Sequence, residues 1–419
     1  MRYQHLSILL VTAAGLAAPA GDPSALAGLL DEARRKNPEI LAARKACEAA
    51  RQRPDQASAL PDPMLAAGYT SAGSPRPVAG IGREPVANAG LMIAQEFPGP
   101  GKRNLRGAVA RREAEAAYQE YLQAELSVVS RLKQAWHRLH FLYEIRGVLE
   151  RNRDLLRKFL RIGEARYAVG RSSQEDIFRI QTQLSILETR LERLEQQRLA
   201  REAEINSLAV RPLSAPVPRP SASDPPALPG FDDLYARMRE ATPVLRREEK
   251  RIQRSEAALN LARKDYYPDF TLSGGYFNMG AMPDMYEVRV GVSLPAYWWR
   301  KQRSGVAEQV HELNRSRKSY EAARNDLRFR LKEEYLAAQS AARLIGMYDK
   351  TVAPQAGLAL EASLPAYETG AAGALTLLTN FLAVLDYQVS LHEERLNYVL
   401  ALVRMEELTG VRLTEDGEQ

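Results

Sequence analysis

Three groups of residues have types and spacings that chemistry could use. His137 and His140 stand three apart on a helical pattern, so both imidazoles fall on one face. Such a pair can begin a metal site, but a closed site needs further ligands. The adjacent Trp136 and Leu139 read as core. The second group, "SLHEERL" (390–396), lacks the second histidine of H-E-x-x-H, because Leu396 stands in its place. The third, "QEFPGPGKR" (95–103), has the look of a phosphate-cradling loop, G-x-x-x-x-G-K-[ST]. Glu96 occupies the first glycine's place and would repel phosphate; Arg103 replaces the magnesium-binding hydroxyl. No catalytic residue, metal site or cofactor is therefore expected. His311 and His392 read as isolated surface residues. The single cysteine, Cys47, reads as a small core residue and permits no internal disulfide.

What must position these residues is a chain of 419 amino acids with net charge +6. The positive balance does not indicate nucleic acid. Arg and Glu are interleaved, as in "ETRLERLEQQRLAREAE" (188–204), and that mixing marks solvated helix faces. At the N-terminus, Arg2, the apolar run "LSILLVTAAGLAA" and Ala18-Pro19-Ala20 form an export signal, assigned to residues 1–20. No later apolar run is expected to reach membrane-helix length.

The remainder reads as one layout written twice. "LPDPMLAAGYT" resembles "YYPDFTLSGGYF"; "QEFPGPGKRNLR" matches "VSLPAYWWRKQR", Pro98 to Pro295; "ARYAVG" matches "PAYETG"; and Pro38 matches Pro243. A Pro/Ser-rich linker at 211–230 separates a first repeat, 21–210, from a second, 231–411, followed by a tail, 412–419. Each repeat reads as a helix, two strands, a very long helix, a Gly turn and a long return helix. The strands are expected near 63–72, 88–97, 268–278 and 286–295, and the turns near 167–175 and 367–374.

In "YEVRVGVSL", Tyr286, Val288, Val290, Val292 and Leu294 alternate with Glu287, Arg289, Gly291 and Ser293, so one face is apolar. Strand lengths of about nine to eleven residues suit a tilted membrane strand or a half-buried hairpin. Ile177, Ile180, Leu184, Leu187, Leu191 and Leu194 step by three and four, a coiled-coil seam that continues to Ile205 and Leu208. Val129, Leu132, Trp136, Leu139 and Tyr143 step likewise. No proline interrupts 102–167, which as a helix spans on the order of 100 Å. Rods of that length need neighbours throughout. Four strands cannot close a membrane barrel, so any barrel must be shared among chains.

In this arrangement the chain resembles the TolC family of outer-membrane efflux and secretion channels. The resemblance covers essentially all of it beyond the export signal. It is carried by "LPDPML" (60–65), "QEFPGPGKRNLR" (95–106), "RYAVGRSSQEDIFRIQTQL" (166–184) and "LERLEQQRLAREAEINSL" (191–208). Among its members it looks most like the outer-membrane components of cobalt–zinc–cadmium and copper–silver efflux systems. The resemblance implies a mainly α fold with a small β part, in which coiled-coil hairpins form a trimeric periplasmic α-barrel. Each subunit would give four strands to a twelve-stranded barrel in the outer membrane of a Gram-negative bacterium. It implies a passive duct, a homotrimer, partnered by a periplasmic adaptor and an RND-type inner-membrane pump and exporting metal cations or other toxic compounds. Type I secretion or drug efflux, or a periplasmic coiled-coil scaffold, are the alternatives.

Gly170 suits a left-handed helix end, Ser172 or Ser173 a cap, and Glu175 and Asp176 a first turn. The resemblance implies that Tyr167, Gly170, Ser173 and Asp176, with Tyr367 and Gly370, form the closed tip that meets the adaptor. Some relatives place acidic residues after the second tip; here Thr376, Thr379 and Asn380 stand there, leaving Asp176 as a partial contributor to cation selectivity. Trp298 and Trp299 are expected to anchor at the membrane–water boundary, in contact with outer-membrane lipid. Pro98, Gly99, Gly101 and Pro295 are expected at barrel-to-helix junctions, with Lys102, Arg103, Arg300 and Lys301 near headgroups or the helix start.

Overall fold

The computed structural model describes residues 24–73, 76–221 and 226–414, so the export signal expected at 1–20 lies outside the described residues. The elements run α1 (Ser24–Lys36), α2 (Pro38–Ser58), β1 (Met64–Thr70), β2 (Asn88–Phe97), α3 (Lys102–Ala168) and α4 (Gln174–Leu208). They continue with α5 (Phe231–Ala241), α6 (Pro243–Lys264), β3 (Asp269–Asn278), β4 (Met285–Ser293), α7 (Lys301–Met347), α8 (Ala353–Thr369) and α9 (Ala374–Thr409).

Three of the expected single helices are divided. The leading helix of the first repeat breaks at Asn37, whose side-chain oxygen caps Glu39 N at 2.9 Å while Pro38 takes the first helical position. Proline there is pre-set for helix entry but disrupts a helix running through it. In the second repeat the leading helix breaks at Thr242, before Pro243, as its counterpart in the first repeat does before Pro38. The second long helix passes through a π-helical turn, Tyr348–Val352, just before Pro354. Pro354 cannot donate a backbone bond, and the ladder shifts register beside it.

Near the strands the helices lie side by side as α2, α3, α6 and α7. Further along, α4, α3, α9 and α7–α8 are neighbours, and α3 spans both layers. Leu132, Leu139 and Ile205 are fully buried around α1, and Ile180, Leu187 and Leu194 of α4 pack against α3, so both stepped seams face protein. Cys47 is buried. One sequence expectation is corrected. By length and composition α9 is apolar enough to cross a membrane, with a mean hydropathy of 1.3 over its most apolar window. One side of α9 packs against α3, α5, α7 and α8, but only 33% of that window is buried.

The strands form one antiparallel sheet in the order β1-β2-β3-β4. At its base Gly99 permits a close approach: a Cβ there would lie 2.6 Å from the Pro268 carbonyl oxygen. Gly99→Ala should cost about 1–3 kcal/mol through this overpacking. A lower thermal midpoint in detergent-solubilised protein would register it, and an unchanged midpoint would contradict it.

Candidate functional site: sheet face, junctions and hairpin tips

Strand register gathers the apolar side chains onto one face. Leu272 pairs with Val290, Phe270 with Val292 and Tyr276 with Tyr286. Across the next ladder, Leu91 meets Tyr276 and Phe97 meets Phe270, and Leu65 meets Ile93 beyond. All of these side chains are exposed, as is Val288 on the same face: Val288 is 80% exposed and Tyr286 76%. Gln95, the polar member of this face, donates to the Pro61 carbonyl at 2.7 Å. The opposite face carries Glu96, Asp269, Thr271, Ser273, Glu287 and Arg289. On that side Phe277 lies over Gly90 and Gly275, whose missing side chains make its room. The outer edges of β1 and β4 pair with no other strand among the described residues.

Both junctions lie at the ends of strands. Pro98 directly follows β2, and Gly101, at φ 85°, precedes α3. Gly99 N donates to Asp269 Oδ1 at 2.6 Å. The Lys102 ammonium reaches the same oxygen at 2.8 Å and the Tyr267 carbonyl at 3.0 Å. Lys102 is thus at the helix start, as expected, but buried against protein rather than presented to headgroups. Pro295 lies two residues beyond β4, and the chain turns through 296–300 without a glycine. Trp298 and Trp299 project there, each 52% exposed, with ring centroids 6.0 Å apart.

At the far end the two turns share a form. Gly170 (φ 72°) donates to the Tyr167 carbonyl and Gly370 (φ 92°) to that of Tyr367. Ser173 caps α4 by accepting from Asp176 N at 3.2 Å, and Ser172 Oγ donates to the Asp176 carboxylate at 3.1 Å. The paired tyrosines diverge: Tyr167 is exposed, whereas Tyr367 is fully buried. Tyr367 sits in the core with Phe159, Ile180 and Phe381, beneath Arg166, which the sequence reading passed over. Its guanidinium lies 4.5 Å from the Tyr367 ring centroid and donates to the carbonyls of Tyr367 and Arg171. Gly163 leaves space for the Tyr367 hydroxyl, 3.1 Å from where a Cβ would be. The available signal was a difference between the matched stretches, Arg166 against Ala366. Exposed Val169, Phe178 and Leu375 were also missed. Arg166→Ala should uncouple the two hairpins and speed limited proteolysis of the 167–175 turn about threefold or more, with helicity retained. Unchanged cleavage would show that the contact does not hold the tips together.

The histidines settle differently from the surface reading. His392 on α9 is half-buried and interacts with His140, so it is not isolated, whereas His311 is exposed. No group of three metal-ligating side chains suited to a metal occurs among the described residues. Burial first, then His140 and Lys133, push His137 down to about 3. Between pH 6.5 and about 3 the unfolded chain binds a proton that the folded site refuses, so stability falls as pH drops. The slope approaches about 1.4 kcal/mol per pH unit. Thermal midpoints at pH 7 and pH 5 should differ more for the wild type than for His137→Gln; equal differences would refute this.

The sequence profile of outer membrane efflux proteins matches residues 29–209 and 234–411. The chain belongs to the outer membrane efflux protein family. Its fold is that of the outer-membrane channel OprN, with a TM-score of 0.80 at 16% identity, covering 94% of this chain and 91% of that one. VceC from the bacterial pathogen Vibrio cholerae gives 0.77 at 19%, covering 92% and 96%. CusC gives 0.78 at 12%, covering 98% of each. No curated protein matches the sequence. The fold is thus the TolC-like one: long helical hairpins and a small four-stranded antiparallel sheet.

Proposed function

We propose that the chain is one protomer of a passive, trimeric outer-membrane efflux duct that extends into the periplasm. The observation that carries this reading is the sheet, with one exposed apolar face and two unpaired edges. An open sheet is not viable in lipid, and the smallest membrane barrels need about eight strands. Three copies supply twelve, with β4 of one chain pairing β1 of the next. The helices continue the barrel as a tube. Exposed Phe178, Ile186 and Leu199 on α4, and Phe329, Leu336 and Leu358 on α7 and α8, are apolar residues on the two outer flanks that a closed ring would cover.

In this reading Trp298 and Trp299 anchor at the lipid boundary. Tyr167, Gly170, Ser173, Asp176, Tyr367 and Gly370 form the closed tip that docks the periplasmic adaptor. An RND-type pump in the inner membrane supplies the energy. The cargo is metal cations, on the sequence resemblance, or other toxic compounds. Fractionation tests the duct: trimers that dissociate on heating, recovered in outer membranes, are expected. A soluble periplasmic protein would instead support the coiled-coil scaffold. A deletion strain challenged with metals and with organic toxicants tests the cargo.

A further inference from the structure

Helices α2, α3, α6 and α7 border a single cavity of about 640 Å³. Neighbouring helices are spaced about 8–10 Å apart, so four in a flat layer could not share it. In the trimeric-duct reading the layer curves round this cavity, which then opens on the lumen.

The charges of this wall do not balance. Its four carboxylates are all engaged by guanidinium groups. Glu113 pairs with Arg254 at 2.9 Å, Glu120 with Arg251 at 3.1 Å, Glu248 with Arg247 at 2.9 Å, and Glu312 with Arg315 at 3.0 Å. Arg112 is held by Glu115 at 2.8 Å. Arg53 also lines the cavity, is exposed, and has no ion-pair partner among the described residues. Among the described residues the wall therefore offers a solute one free cation per chain and no free carboxylate. Ala116 and Ala117 supply small apolar surface, and Ser316 and Ser319 supply hydroxyls.

We infer that this stretch of wall is a transient binding site for organic anions, carboxylates or sulfonates of drug size, and that it disfavours bare metal cations. The inference rests on the trimeric-duct reading and chooses between the two cargo classes named there. Three Arg53 side chains would ring one lumen and attract anions along the path.

The test is fluorescence anisotropy with purified trimer in detergent at low ionic strength, where charge is least screened. Carboxyfluorescein is the anionic probe and rhodamine 6G the cationic one. Carboxyfluorescein should bind about threefold or more tightly than rhodamine 6G. Arg53→Glu should abolish or invert that preference and Arg53→Lys should keep it, with both variants melting like the wild type. A wild-type trimer with no preference, or with a cationic one, would overturn the inference while leaving the duct intact. So would an Arg53→Glu trimer that keeps the anion preference. Protein that forms no trimer would overturn the duct reading and this inference with it.

Discussion

Lys133→Ala should destabilise the protein by about 3–5 kcal/mol, the cost of leaving a buried charge without its partner. The Lys133 ammonium, on α3, lies 2.7 Å from Glu406 Oε2, on α9, and its side chain is 2% exposed. The other Glu406 oxygen accepts from the backbone N–H of Leu413 at 2.6 Å, and from the Thr414 N–H and hydroxyl. One carboxylate thus fastens the described end of the chain to the longest helix, and Lys133 neutralises it. Removing Lys133 alone strands the Glu406 charge. Lys133→Met combined with Glu406→Gln removes both charges yet keeps an acceptor for the Leu413 and Thr414 amides. The double variant should therefore recover more than half of the loss. Circular dichroism melting in detergent measures both effects. A single variant that melts with the wild type, or a double variant worse than the single, would refute this account.

The second large effect is expected at the sheet. Val288→Arg places a guanidinium near the middle of the exposed apolar face, where lipid would charge about 2–4 kcal/mol for it. Outer-membrane recovery of the variant should fall severalfold. Thr271→Arg adds the same group one strand away, but on the face shared with Glu287 and Arg289. If that face is the wet one, its recovery should stay near the wild type. Equal losses for the two variants, or equal tolerance, would remove the support that the face asymmetry gives to a membrane position.

Much of this was legible because it is local. The alternation in "YEVRVGVSL" placed β4 within a residue or two, since side chains on a strand alternate by geometry alone. The seam from Ile177 to Leu194 located the buried stripe of α4. Gly170 and Gly370 marked left-handed turns that disfavour side chains. The breaks at Asn37, at Thr242 and at 348–352 escaped although their prolines are plain in the sequence, because helical periodicity continues on either side of each.

The pairings were not legible. Lys102 meets Asp269 across 167 positions, and Lys133 meets Glu406 across 273. Arg166 binds the Tyr367 carbonyl across 201. Lys102, Lys133 and Arg166, read alone, are ordinary charges on one long helix rich in charges, and nothing in their neighbourhood names a partner. His392 looked like surface for the same reason. By itself, then, the sequence determined which segments are rods, strands and turns, and which face of each is apolar, because backbone geometry converts spacing directly into direction. Only the tertiary structure decided which charges are buried, which of two similar tyrosines is locked, and where an unpaired arginine faces a cavity. Those outcomes depend on which rods lie side by side, and rods of similar composition carry no local record of their neighbours.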